Sequence, residues 1–223
     1  MTEAGFKIKF SPSLRGGDLL ALGESAEAAV RAGAESLHID IMDGHFAKDY
    51  GFNLQTIETL AKTAPIPLDV HMMVFDIDTL IAPFLSAPIR TLWFHPETAK
   101  DAKAILREIK RSGKKAGIAL APNVSLFDIA PLMTRVDEIL VLTVTPGEGG
   151  GAFHAGAVEK IGALKDMTEK IHRSVTISVD GGLNVVRART CVLKGADKII
   201  MGNAFFSAKD REGVRKAVCY GKE

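Results

Sequence analysis

The sequence predicts an α/β fold, a single closed (β/α)8 TIM barrel, and three observations carry that prediction. Short apolar runs alternate with amphipathic stretches from end to end, and eight such runs can be marked. The length, 223 residues, sits near the lower end of the roughly 200–400 residues that one barrel of this kind uses. Polar residues and glycines gather where the apolar runs stop, which is where a barrel carries its working groups. A doubly wound open sheet is the competing arrangement. It usually places GxGxxG after its first strand, whereas this chain has Ser11-Pro12-Ser13-Leu14-Arg15-Gly16-Gly17.

The predicted strands are Lys7–Ser11, Ser36–Met42, Leu68–Met73, Thr91–His95, Lys115–Ala119, Glu138–Thr143, Val175–Val179 and Lys198–Met201. They are short and rich in Val, Ile, Leu and Phe, as strands buried on both faces are. Helices are predicted over Asp18–Ala32, Leu54–Ala64, Lys100–Arg111 and Asn184–Leu193, each followed by a Gly or Pro stop. No linker, charge block or low-complexity tract divides the chain, so residues 1–223 are expected to form one domain.

Composition narrows the function. A 47% hydrophobic content and a net charge of +1 exclude a disordered chain. Lys+Arg 28 against Asp+Glu 27 leaves no basic excess, so no nucleic-acid partner is expected. The two cysteines, Cys191 and Cys219, make no disulfide framework and fit a reducing compartment. The N-terminus lacks an apolar signal core, and no run approaches ~18 apolar residues. A cytoplasmic protein with no membrane partner is the expectation.

Three strands carry polar residues near their C-terminal ends. His38 and Asp40 lie two apart, so they share one face of a strand. A self-satisfied hydrogen-bonded pair and a functional pair remain equal readings. Asp69 and His71 repeat the spacing on the third strand, where Asp69 is expected to orient His71 or cap a helix. Asp180 ends the seventh strand before Gly181-Gly182, where a plain turn competes with a role. Taken together, His38, Asp40, His71 and Asp180 make a plausible shell for one divalent metal ion; Zn, Fe, Mn and Co all suit that donor set. The glycine-rich ends are the second signal. Thr145-Pro146-Gly147-Glu148-Gly149-Gly150-Gly151 follows the sixth strand, Gly181-Gly182 the seventh and Gly202-Asn203 the eighth. Convergent backbone N–H groups there suit a phosphorylated substrate.

Ser11-Pro12-Ser13-Leu14, His38-Ile39-Asp40-Ile41-Met42-Asp43-Gly44-His45-Phe46, Leu68-Asp69-Val70-His71-Met72-Met73, Pro146-Gly147-x-Gly149-Gly150 and Val179-Asp180-Gly181-Gly182 resemble the ribulose-phosphate 3-epimerase family. The resemblance runs from about Phe10 to about Phe206. It implies a barrel of the ribulose-phosphate-binding type that epimerises a ketose phosphate at C3 through an enediolate whose charge a metal stabilises. It implies that His38, Asp40, His71 and Asp180 bind the metal, and that Asp40 and Asp180 are the acid/base pair on the two faces of the substrate. Ser13, His71, Gly147, Glu148, Gly149, Gly150, Asp180, Gly181, Gly182, Gly202 and Asn203 are the implied substrate contacts. D-ribulose 5-phosphate, converted to D-xylulose 5-phosphate, is the expected substrate. The family's habit implies a homo-oligomer, a dimer or hexamer.

Departures from the family pattern bear on the substrate. Glu148 stands where the family has Phe and brings a negative charge to the phosphate loop. The first loop has Arg15-Gly16-Gly17 without the family's second Ser, and Asn203 replaces a frequent Ser. Ser11-Pro12-Ser13-Leu14 with Asp18-Leu19-Leu20, and His95-Pro96-Glu97-Thr98, look like the D-allulose 6-phosphate 3-epimerase branch, which is the alternative. Another phosphate-binding barrel enzyme and a non-catalytic sugar-phosphate-binding barrel are the competing classes. Arg15 is a candidate for an extra phosphate or hydroxyl contact. His95 is weighed as a substrate contact against a packed histidine. His45, His154 and His172 are expected in loops or solvent, and Met42 and Met73 in core packing rather than lining a site.

Overall fold

The computed structural model describes residues 8–220. Its strands are β1 (Lys9–Pro12), β2 (Leu37–Met42), β3 (Leu68–Met73), β4 (Thr91–Phe94), β5 (Lys115–Leu120), β6 (Glu138–Leu142), β7 (Thr176–Asp180) and β8 (Lys198–Met201). All pair in parallel, in the order β1-β8-β7-β6-β5-β4-β3-β2. The two ends of that ladder meet. Ser13 and His38 form a parallel bridge, and the Glu35 N–H donates to the Phe10 carbonyl at 3.0 Å. The Ser36 hydroxyl donates to Ser11 Oγ at 2.9 Å. This seam brings first and last strands of the ladder together, which an open doubly wound sheet does not do.

The helices are α1 (Leu22–Arg31), α2 (Leu54–Thr63), α3 (Ile77–Leu80), α4 (Ala82–Ser86), α5 (Ala102–Arg111), α6 (Leu126–Ile129), α7 (Gly156–Lys170), α8 (Val185–Leu193), α9 (Asn203–Phe206) and α10 (Arg211–Tyr220). None is long and apolar enough to cross a membrane among the described residues. α5 shows why these segments are helical. The Asp101 carboxylate accepts the N–H groups of Lys103 and Ala104, Ile105, Leu106 and Ile109 form the buried stripe, and Lys110 and Arg111 close the last turn.

Every predicted strand forms, the third and eighth with the predicted bounds and the rest with ends displaced by a residue or two; Lys7, the predicted start of the first, lies outside the described residues. The helix predicted over Asp18–Ala32 starts late, at Leu22. Asp18 instead builds a turn: its carboxylate accepts the Leu20 N–H at 2.9 Å, and its own N–H donates to Ser25 Oγ at 3.0 Å. That turn leaves Leu20 99% exposed, so no buried face rewards a helix there.

The barrel interior is layered. At the N-terminal end of the strands Asp69, Glu138, Ser178 and Lys198 are all buried. Lys198 Nζ lies 3.1 Å from Asp69 Oδ2 and pairs with Glu138, whose Oε1 accepts the Ser178 hydroxyl at 2.5 Å. The Arg90 guanidinium closes on the same Asp69 carboxylate at 2.9 and 2.5 Å. Burial works against the Asp69 charge, but Lys198 and Arg90 outweigh it and hold the carboxyl down to about 2. Asp69 therefore neither orients His71 nor caps a helix, contrary to the expectation from its spacing. Above it Trp93, Ala119, Leu140, Leu142 and Ile200 fill the middle of the barrel. A side chain on Gly117 would start 2.1 Å from Trp93 Cδ1, so the glycine makes room for the indole.

Candidate metal centre and active-site cavity

The layer above Trp93 is polar again. Strand alternation sends His38 and Asp40 of β2 and His71 of β3 inward, and the parallel register sets Asp40 beside His71. Asp180 arrives from β7, around the ring. His38 Nε2 lies 3.1 Å from Asp40 Oδ1 and 3.7 Å from Asp180 Oδ2, and His71 Nδ1 lies 3.3 Å from Asp40 Oδ1. One ligand atom from each of these four residues lies within 4.8 Å of all the others. Donors about 2.0–2.2 Å from a common ion are separated by roughly 3–4 Å; the three contacts, 3.1, 3.3 and 3.7 Å, fall in that range, and the cluster could hold a metal ion. The donor chemistry fits too: two imidazoles and two carboxylates suit a divalent transition ion.

The four groups have unequal electrostatics. Burial disfavours the Asp40 charge, yet His38 and His71 outweigh it and hold its carboxyl well below the usual range. Asp180 goes the other way: burial raises it to about 6, with the Asp40 charge adding and His38 opposing. Burial pushes His71 down to about 4, with the Asp40 hydrogen bond opposing and nearby His95 adding, which leaves a neutral imidazole at neutral pH, the form a metal would require. Burial also works against His38, but Asp40 and Asp180 raise it above its ordinary value. Two carboxylates this close repel unless a proton or a cation joins them.

The cluster floors a cavity of about 460 Å³. Ser13, Asp40, His71, Gly147, Glu148, Gly149, Gly150, Asp180, Gly181, Gly182, Gly202 and Asn203 all line it, and His38 lies beneath, fully buried. The Ser13 hydroxyl donates to Asp40 Oδ2 at 3.3 Å. Thr143 fixes the end of β7: its N–H donates to the Asp180 carbonyl at 2.8 Å and its hydroxyl to the Gly181 carbonyl. Glu148 is exposed on the rim, and its Oε2 folds back to 3.1 Å from where a Gly151 side chain would begin. The first and last loops touch because Gly16 has no side chain; a Cβ there would lie 2.3 Å from the Gly202 carbonyl carbon.

Met42 and Met73 pack with Ala47 in a buried cluster, as expected, but Met73 also reaches the cavity wall, so core packing is not its whole role. His45, His154 and His172 are exposed. His95 does not line the cavity; it lies behind His71, the two Nε2 atoms 3.0 Å apart. Arg15 stands at the mouth, donating to the Gly147 carbonyl at 3.1 Å and pairing with Asp49. Sequence reasoning passed over Arg187. Its guanidinium lines the cavity, donates to the Gly182 carbonyl at 2.7 Å and lies 4.6 Å over the Phe153 ring. The one available signal was its place in the first turn of a helix that follows Gly181-Gly182.

Fold and cluster define a class, the (β/α)8 barrels with a buried His/Asp metal-competent cluster at the strand ends. A mutant tryptophan synthase alpha-subunit from Pyrococcus furiosus superposes with a TM-score of 0.69 at 13% identity, covering 96% of this chain and 97% of that one. Phosphoribosyl anthranilate isomerase from Thermus thermophilus gives 0.63 at 11%, covering 95% and 96%. At such identities the likeness concerns the fold alone. Sequence relatives are more specific. The model of the ribulose-phosphate 3 epimerase family matches residues 9–206. Ribulose-phosphate 3-epimerase of Aquifex aeolicus (strain VF5) is 34% identical over 202 residues, 91% of each chain. That of Bacillus subtilis (strain 168) is 34% identical over 206 residues, 92% of this chain and 95% of the other. The chain belongs to the ribulose-phosphate 3-epimerase family, a family of isomerases.

Proposed function

We propose that this protein interconverts the C3 epimers of a ketose phosphate, with D-ribulose 5-phosphate and D-xylulose 5-phosphate as the pair. The observation that carries the reading is the meeting of Asp40 and Asp180 around His38 at the floor of the glycine-rimmed cavity. Epimerisation removes the proton next to the C2 carbonyl from one face and returns a proton to the other, so it needs two acid/base groups. The divergent environments of Asp40 and Asp180 supply them. Asp40, ionised and steered by the Ser13 hydroxyl, takes the C3 proton; Asp180 holds the proton that is delivered, and the roles exchange in the reverse direction. One divalent ion, Zn, Fe, Mn or Co, held by His38, Asp40, His71 and Asp180, would supply Lewis-acid stabilisation of the charge that develops on the substrate oxygens. His71 and Asp180 also face the sugar. The backbone at Gly147, Gly149, Gly150, Gly181, Gly182, Gly202 and Asn203 receives the phosphate. Arg15 and Arg187 offset Glu148 at that end.

Proton NMR in heavy water, on metal-replete protein with D-ribulose 5-phosphate and D-allulose 6-phosphate, tests the proposal. Loss of the C3 proton signal with formation of the epimer is expected, faster for the pentulose. Asp40→Asn and Asp180→Asn should each stay folded and lose about 10²–10⁴ of the rate. No exchange with either sugar would leave binding without turnover and sink the epimerase reading.

A further inference from the structure

We propose that His95 and Glu97 are positioning residues for the metal centre, a chain Glu97–His95–His71 that fixes which nitrogen of His71 is free to bind metal. The inference rests on the metal-site reading above and extends it beyond the four ligating residues.

The argument is one of hydrogen-bond direction. His71 presents Nδ1 to the cluster, 3.3 Å from Asp40 Oδ1, and Nε2 away from it, 3.0 Å from His95 Nε2. Two ring nitrogens at that distance form a hydrogen bond only if one carries the proton and the other a lone pair. A metal at the cluster needs the Nδ1 lone pair, so the His71 proton sits on Nε2 and is donated to His95. His95 Nε2 is then the acceptor, and its own proton sits on Nδ1. That nitrogen is buried with no hydrogen-bond partner, and the nearby carboxylate is Glu97, whose Oε1 lies 3.5 Å away. With metal bound, His71 and His95 thus form a series with a single allowed polarity, and the Glu97 carboxylate stands at its outer end, facing the protonated Nδ1 of His95.

The surroundings hold the series in place. His95 is fully buried, its ring centre 4.6 Å from that of Phe46 and 5.1 Å from that of His71. Glu97 sits in the short turn Pro96–Thr98, which is tied back to the His95 carbonyl by the Thr98 N–H at 3.0 Å and the Thr98 hydroxyl at 2.8 Å. His38 has no such support: its Nδ1 is buried without a partner. The two imidazoles of the cluster are therefore unequal, and His71 is the one whose orientation is set from outside. Outer partners of this kind typically contribute 10–100-fold to metal affinity.

The test uses metal-free wild-type protein and the variants His95→Gln, His95→Leu and Glu97→Gln. Zinc affinity is measured by competition with a chromophoric chelator, and the visible spectrum of the cobalt-loaded protein reports the ligand field. His95→Leu should lose about 10–100-fold in affinity and alter the cobalt spectrum. His95→Gln, whose amide oxygen accepts from His71 Nε2, should recover most of both. Glu97→Gln should show a smaller loss in the same direction. Equal affinities and spectra for wild type and His95→Leu would overturn the inference. If His95→Leu does not fold, Glu97→Gln decides, and an unchanged affinity and spectrum there overturns it as well. A wild-type protein that binds neither zinc nor cobalt would overturn the metal-site reading itself, a distinct result.

Discussion

Lys198 ends inside the barrel, 1% exposed, between Asp69 and Glu138. Removing one member of a buried ion network leaves its partner charged in a dry site, so Asp69→Asn should cost about 3–5 kcal/mol at neutral pH. The pH dependence follows from the direction of the Asp69 shift. Its folded value of about 2 lies below the ordinary 3.8. Its contribution is therefore complete above roughly pH 4 and is lost as pH falls through 2. Urea unfolding between about pH 5 and pH 2 checks this: wild type should lose stability through that window, and Asp69→Asn should lack that part of the slope. Asp69 also shows the limit of spacing rules. It shares a strand face with His71, yet the two serve different layers: the Asp69 carboxylate meets Lys198 and Arg90, whereas His71 meets Asp40.

At the scale of elements, β4 and β5 are fitted to each other by Gly117 and Trp93. A methyl group at 2.1 Å from Trp93 Cδ1 cannot be absorbed without moving the indole or a strand. Gly117→Ala should destabilise the fold by about 1–3 kcal/mol, read as a lower denaturant midpoint with an unchanged slope. The strands themselves were legible. β3 lies at Leu68–Met73 and β8 at Lys198–Met201 as predicted, and the other six differ by a residue or two at their ends. Buried parallel strands are read from apolar runs bounded by turn residues, which is a local signal. The start of α1 was not legible, because Leu19 and Leu20 supply helical periodicity without a surface to bury it.

At the scale of the molecule, Arg15 spans three loops of the cavity mouth. It rises from the loop after β1, pairs with Asp49 in the loop after β2, and donates to Gly147 in the loop after β6. Loosening that clasp should weaken substrate binding more than the proton transfers. Arg15→Ala is expected to raise KM about tenfold, a loss of about 1.4 kcal/mol, with a smaller change in kcat; steady-state kinetics on the preferred ketose phosphate separate the two. Equal loss in KM and kcat would place Arg15 nearer the chemistry. The sequence by itself determined the barrel, the shared strand face of His38 and Asp40, and the glycine ends of the late strands, because alternation along a strand and the backbone freedom of glycine are local properties. Tertiary structure decided the rest. Closure of the ring brought Asp180 to His38 across 142 positions of sequence. Lys198 and Arg90, from other strands and loops, took Asp69 into the layer below the site, and the packing of loops and of α8 aimed Arg15 and Arg187 at the cavity and His95 at the back of His71. Depth in a barrel and proximity between loops depend on how strands are staggered around the ring, and no single strand carries that information.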